Sequence, residues 1–104
     1  MREKLVRDKI PDLIIESGKN PEYYVESDKE KYEQRLFDKM REELQEFADN
    51  PCIEEAADMY EVWFSIIRHW NMLPIDVISC ANKKRSERGG FTDRIVLQKI
   101  DIEE

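Results

Sequence analysis

The chain has 104 residues, of which 40% are hydrophobic and 39% charged, and its formal net charge is −7 at pH 7. A length in this range predicts a single domain, residues 1–104, and a composition with only 3 Gly and 4 Pro favours helices with solvated outer faces. The acidic balance argues against nucleic acids and anionic membranes as partners, because no overall positive field attracts their phosphates.

The cysteines and the hydropathy of the sequence indicate the cellular compartment in which the protein is expected. Cys52 and Cys80 lack the spacing of a zinc or redox motif, so we expect buried, reduced thiols. No apolar run reaches transmembrane length, and the opening MREKLVRDK lacks the pattern of a signal peptide. The sequence therefore predicts a soluble, cytoplasmic protein.

Helical periodicity, caps and breakers predict four helices in chain order. They cover approximately residues 10–17, 29–47, 52–70 and 74–87. Asp8 and Asp28 are expected to cap the first two helices, and Gly18 to close the first. Two short segments, residues 22–26 and 94–102, have the composition or alternation of strands and predict a small two-stranded β-ribbon. The expected fold class is mainly α, with antiparallel helices.

Two acidic clusters flank the breaker at residues 48–51. The first comprises Glu42, Glu43 and Glu46, and the second comprises Glu54, Glu55 and Asp58. Within each cluster, two carboxylates three residues apart lie on one helical face. If the helices fold back on each other, four carboxylates converge, and their mutual repulsion calls for a cation. Mg²⁺ and Mn²⁺ prefer such all-oxygen ligands. The alternative is an ordinary solvated acidic face.

Helical phase favours the cation site over a solvated face. Glu43 lies on the flank of the apolar stripe of the second helix, and Glu55 falls in line with an apolar row of the third. A buried carboxylate without a partner is costly. The third helix also has a second apolar side, which predicts contact with another subunit.

Basic residues form two further groups. Lys84 and Arg88 lie four residues apart near a helix C-terminus, where they either favour the helix dipole or bind phosphate oxygens opposite a metal. Lys4, Arg7 and Lys9 form a basic patch that could contribute to the same role. The single histidine, His69, is expected to be structural, because one histidine cannot build a zinc site.

The ordered set of motifs resembles a known family. The pattern ExxE followed by ExxD, and then Ala81-Asn82-x-Lys84-x-x-x-Arg88, is similar to the MazG-like nucleoside triphosphate pyrophosphohydrolases of the all-α NTP pyrophosphatase superfamily. The opening KLVRDKIP and the closing RGGF resemble a small single-domain branch of it. The resemblance implies an antiparallel helical bundle of MazG type. It also implies Mg²⁺-dependent (or Mn²⁺-dependent) house-cleaning hydrolysis of (d)NTPs at the α–β bond, giving NMP and pyrophosphate.

The resemblance also implies roles for particular residues. The implied metal ligands are Glu43, Glu46, Glu55 and Asp58; the implied catalytic residues are Glu42 and Glu43; and the implied substrate-binding residues are Asn82, Lys84 and Arg88. A homodimer or homotetramer is expected. Only eight residues separate Glu46 from Glu55, fewer than is usual in the family, which we interpret as a trimmed loop. Two alternatives stay open: an enzyme resembling phosphoribosyl-ATP pyrophosphohydrolase, and a non-catalytic helical interaction protein.

Overall fold

The computed structural model describes residues 3–100, and every regular element within that range is a helix. The helices are α1 (Ile10–Glu16), α2 (Lys29–Asp49), α3 (Ile53–His69) and α4 (Pro74–Arg88). The mainly α fold class is confirmed, and each predicted helix is present with ends displaced by no more than two residues. Within the described range, no helix combines the length and hydropathy needed to cross a membrane.

The predicted β-ribbon is not found among the described residues. Residues 22–26 and 94–100 have no regular secondary structure, and residues 101 and 102 lie outside the described range. Val25 is 86% exposed and Ile95 is 85% exposed, so the apolar side chains that suggested strands are not buried against any layer. Two short strands are marginal in water without such a layer.

Helix α1 begins and ends through backbone hydrogen bonds. Lys9 is the N-cap residue and makes no side-chain capping bond, so the prediction that Asp8 caps this helix is wrong. The Ile10 amide instead donates to the Arg7 carbonyl (3.1 Å), which satisfies one of the free N–H groups at the start. At the other end Gly18 has φ +90°, and its amide donates to the Ile15 carbonyl (2.9 Å), an end that glycine forms without strain.

Helices α2 and α3 form an antiparallel hairpin joined by residues 50–52. The Asp28 side chain caps α2 as predicted, since its Oδ1 accepts from the Lys31 amide at 2.9 Å. The hydrophobic core lies between the two helices, where Leu36 is 1%, Ile67 8% and Val62 9% exposed. A connection this short requires the second helix to run back along the first.

The chain divides into two compact units, one ending at Asn71 and the other beginning at Met72. The second unit contains α4 as its one regular element among the described residues, and none of the residues of α4 is buried. Ile75 and Ile78 of α4 are 69% and 47% exposed, because a single helix cannot bury its own apolar face. Both cysteines are free as predicted, but neither is fully buried: Cys52 is partly buried and Cys80 is exposed.

Candidate metal centre

Three of the four predicted metal ligands converge between α2 and α3. Carboxylate oxygens of Glu43, Glu55 and Asp58 lie within 4.8 Å of one another. Glu43 lies in the second half of α2, and the other two lie in the first half of α3, so the hairpin turn brings them to the same end of the helix pair. The short connection between Glu46 and Glu55 is therefore compatible with convergence of the two clusters.

Glu43 is buried to an unusual degree for a carboxylate. It is 6% exposed, and among residues 3–100 it is the one charged residue that counts as buried. Its Oε2 is buried without a hydrogen-bond partner, and the same is true of Oε2 of Glu55. A buried acceptor without a partner destabilises a fold by about 1–3 kcal/mol, and more when it is charged. Two such oxygens in one cluster are suitable ligands for a hard divalent cation.

The electrostatics of Glu55 show the same crowding of negative charge. Burial raises the pKa of the Glu55 carboxyl, and the neighbouring carboxylates of Glu46, Asp58 and Glu43 raise it further. Glu46 is exposed and does not belong to the group of three converging oxygens. The structure therefore places Glu46 at the edge of the cluster, where it acts on Glu55.

Lys39 is a member of the site that sequence analysis missed. Its Nζ lies 3.2 Å from Oε1 of Glu43 and 3.4 Å from Oε2 of Glu42, and its side chain is 16% exposed. The offsets of three and four residues along α2 could have indicated these pairs. Desolvation alone would raise the pKa of Glu42, but hydrogen bonds and charge from Lys4 and Lys39 outweigh it and hold the pKa below its ordinary value. Glu42 is thus an ionised acceptor.

The segment before α1 brings two more cations to the cluster. Nη2 of Arg7 lies 2.7 Å from Oδ1 of Asp58, and Nζ of Lys4 lies 3.1 Å from Oε1 of Glu42. The sequence identified these residues as a basic patch but did not indicate their partners, which lie 51 and 38 positions away along the chain. Lys9, the third member of that patch, is the N-cap residue of α1.

The residues implied to bind substrate lie on α4, in the second unit. Lys84 and Arg88 are exposed, and Arg88 is the last residue of the helix. Oδ1 of Asn82 accepts a hydrogen bond from Nη1 of Arg85 at 3.2 Å. Their role in phosphate binding stays a prediction.

His69 lies at the end of the hairpin opposite the carboxylate cluster. Its Nε2 forms a hydrogen bond with Oε2 of Glu33 (2.7 Å), and its ring packs edge-on against Tyr32 with centroids 5.2 Å apart. An open cleft of about 370 Å³ lies beside this pair, lined in part by Phe64 and Arg68. The contacts agree with the structural role predicted for His69, since they tie the start of α2 to the end of α3.

Comparisons of the chain with protein-family models, with curated proteins and with solved structures gave no match. The described residues form a helical hairpin with three converging carboxylates and three basic side chains beside them. A functional assignment therefore depends on the chemistry of those residues.

Proposed function

We propose that the chain is a metal-dependent pyrophosphohydrolase of (d)NTPs, of the MazG-like kind that its motifs resemble, acting in the cytoplasm. It would cleave the α–β phosphate bond to give NMP and pyrophosphate. The observation that carries the proposal is the buried Glu43, whose Oε2 has no hydrogen-bond partner and whose carboxylate lies beside those of Glu55 and Asp58.

The donor set fits Mg²⁺ or Mn²⁺ in both chemistry and size. All three converging groups are carboxylates, which suit hard cations better than they suit zinc or copper. Mg²⁺–oxygen bonds of about 2.1 Å place two ligand oxygens at most about 4.2 Å apart. The oxygens of Glu43, Glu55 and Asp58 lie within 4.8 Å of one another, so a small side-chain adjustment suffices. Glu46, at the edge of the cluster, is the fourth candidate ligand.

The surrounding residues suit the hydrolysis of a polyphosphate. A divalent ion bound here would neutralise phosphate charge and activate water. Glu42 is held ionised by Lys4 and Lys39, so it can accept a hydrogen bond from an attacking water and orient it. For α4, in the second unit, the resemblance of the motifs implies that Asn82, Lys84 and Arg88 bind the substrate, and the side chains of Lys84 and Arg88 are exposed.

The direct test is pyrophosphate release from a panel of NTPs, dNTPs and phosphoribosyl-ATP in Mg²⁺ or Mn²⁺. We expect turnover of at least one nucleotide, and we expect Asp58→Asn and Glu46→Gln to abolish it while the helices stay folded by circular dichroism. Glu54→Gln is a matched control, because Glu54 is an exposed neighbour of Glu55 in the same first turn of α3. An inactive wild-type chain on every nucleotide, or a fully active Asp58→Asn variant, would contradict the proposal.

Apolar exposure on the hairpin favours the homodimer or homotetramer as the working form. Ile53 is 86% exposed, and Leu44 and Tyr60 are each 56% exposed, although they lie on the two helices that form the core. Large exposed apolar side chains are a feature of surfaces that contact another subunit. Sedimentation velocity should show a dimer or tetramer that Tyr60→Glu weakens, whereas Tyr23→Glu, at a site 60% exposed but outside the hairpin, should not. An assembly without pyrophosphate release would instead support the non-catalytic interaction protein.

A further inference from the structure

The contact between Arg7 and Asp58 joins the segment before α1 to the carboxylate cluster. The two side chains meet through one pair of atoms, Nη2 and Oδ1, at 2.7 Å. The Arg7 side chain is 53% exposed and that of Asp58 is 39% exposed, so this contact forms at the solvent-facing edge of the cluster. A guanidinium has five N–H donors, and a single contact leaves most of them available.

We propose that Arg7 is a phosphate-binding residue of this site, held in position by Asp58 until a divalent cation and a polyphosphate bind. The inference rests on the proposed function, and it adds a residue that belongs neither to the acidic clusters nor to α4. A guanidinium binds phosphate oxygens through paired, charge-assisted hydrogen bonds, which are among the strongest in proteins. Its place beside a candidate cation ligand puts it within reach of phosphates that the same cation would hold.

Electrostatics explain why Arg7 would leave Asp58 for a phosphate once a cation binds. Asp58 pairs with Arg7 and also belongs to the group of carboxylates that could hold a metal, so the guanidinium and a metal ion would compete for it. A divalent ion coordinated by the Asp58 carboxylate would weaken the attraction between that carboxylate and the Arg7 guanidinium. The guanidinium would then be free to pair with an incoming anion. Arg7 should therefore oppose binding of the bare cation slightly and favour binding of the polyphosphate strongly. A merely structural residue would affect both in the same direction.

The test measures the two binding steps separately, by calorimetry. The first titration uses Mn²⁺ alone, and the second uses inorganic tripolyphosphate at a constant, saturating concentration of free Mn²⁺, which removes any contribution from the base. The variants are Arg7→Ala and Arg7→Lys. The control is Arg41→Ala, because Arg41 is 74% exposed and forms a comparable single contact with Asp38 at 3.0 Å.

We expect Arg7→Ala to bind Mn²⁺ as tightly as wild type or more tightly, and to bind tripolyphosphate at least about tenfold more weakly. Arg7→Lys should recover part of the tripolyphosphate affinity, and Arg41→Ala should match wild type in both titrations. Equal tripolyphosphate affinity in Arg7→Ala and Arg41→Ala, or a parallel loss of Mn²⁺ and tripolyphosphate binding in Arg7→Ala, would overturn the inference. A wild-type chain that binds no Mn²⁺ would instead overturn the metal site of the proposed function.

Discussion

Glu43→Gln is the substitution that best separates a cation site from a merely acidic surface. It removes one charge and keeps the size of a side chain that is 6% exposed. Two unit charges 4.8 Å apart repel by about 3 kcal/mol at an effective dielectric constant of 20. Lys39, 3.2 Å from Glu43, and Arg7, 2.7 Å from Asp58, offset much of this repulsion. Without a divalent ion, we therefore expect the variant to lie within about 1 kcal/mol of wild type.

The two proteins should diverge once a divalent cation is added. A ligand at one hundred times its dissociation constant stabilises the folded state by about 2.7 kcal/mol. For a domain of this size, that corresponds to an increase in Tm of about 10–20 °C. Glu43→Gln loses one of the three converging carboxylates, so we expect most of that increase to disappear.

Urea unfolding followed by circular dichroism, with and without Mg²⁺ or Mn²⁺, measures the difference. Glu54→Gln is the control, because it removes an exposed charge in α3 that is not one of the three converging carboxylates, and it should respond to the cation as wild type does. KCl at matched ionic strength separates specific binding from screening. The same free energy of unfolding for wild type with and without the divalent ion, or an undiminished response in Glu43→Gln, would refute the reasoning.

Three further predictions concern pH and the helix ends. Because the folded state raises the pKa of Glu55, its carboxyl binds a proton more tightly when folded, and stability falls as pH rises above the ordinary value of 4.5. The free energy of unfolding of Glu55→Gln minus that of wild type should therefore increase from about pH 4 to about pH 7 in cation-free buffer, and a decrease would contradict this. Asp28→Ala should destabilise the chain in urea by about 1 kcal/mol, with Asp28→Asn near neutral. Gly18→Ala, at φ +90°, should lower Tm in thermal unfolding and Gly90→Ala should not.

The helices could be predicted from sequence because their determinants are local. Asp28 before a long periodic stretch and Pro74 at the start of another specify where helices begin, and both features hold in the structure. The absence of strands could not be predicted in the same way. Residues 22–26 and 94–100 have β propensity, but no other layer of the fold buries their apolar side chains. Leu44 belongs to α2 but is 56% exposed, because among the described helices only α3 packs on α2 and it covers one face.

The acidic half of the site was within reach of sequence analysis, and the basic half was not. Helical phase is sufficient to place Glu43 and Glu55 inward, because both belong to long helices that pack on each other. The contacts of Lys4 and Arg7 depend on the path of a segment without regular structure, which no periodicity describes. Contacts between residues distant in sequence depend on the tertiary structure, so local sequence patterns do not predict them.

The balance of charge explains how the acidic cluster can fold before a cation arrives. Apart from the exposed Glu54, its carboxylates are the five of Glu42, Glu43, Glu46, Glu55 and Asp58. Three basic side chains, those of Lys4, Arg7 and Lys39, pair with members of this set. The acids exceed the bases by two charges, which is the charge of one divalent ion. The bases pair with Glu42, with Asp58 and with one oxygen of Glu43, while the second oxygens of Glu43 and Glu55 stay unpaired. Part of the unmatched charge thus lies at the buried oxygens, where a bound divalent cation would relieve the repulsion between them.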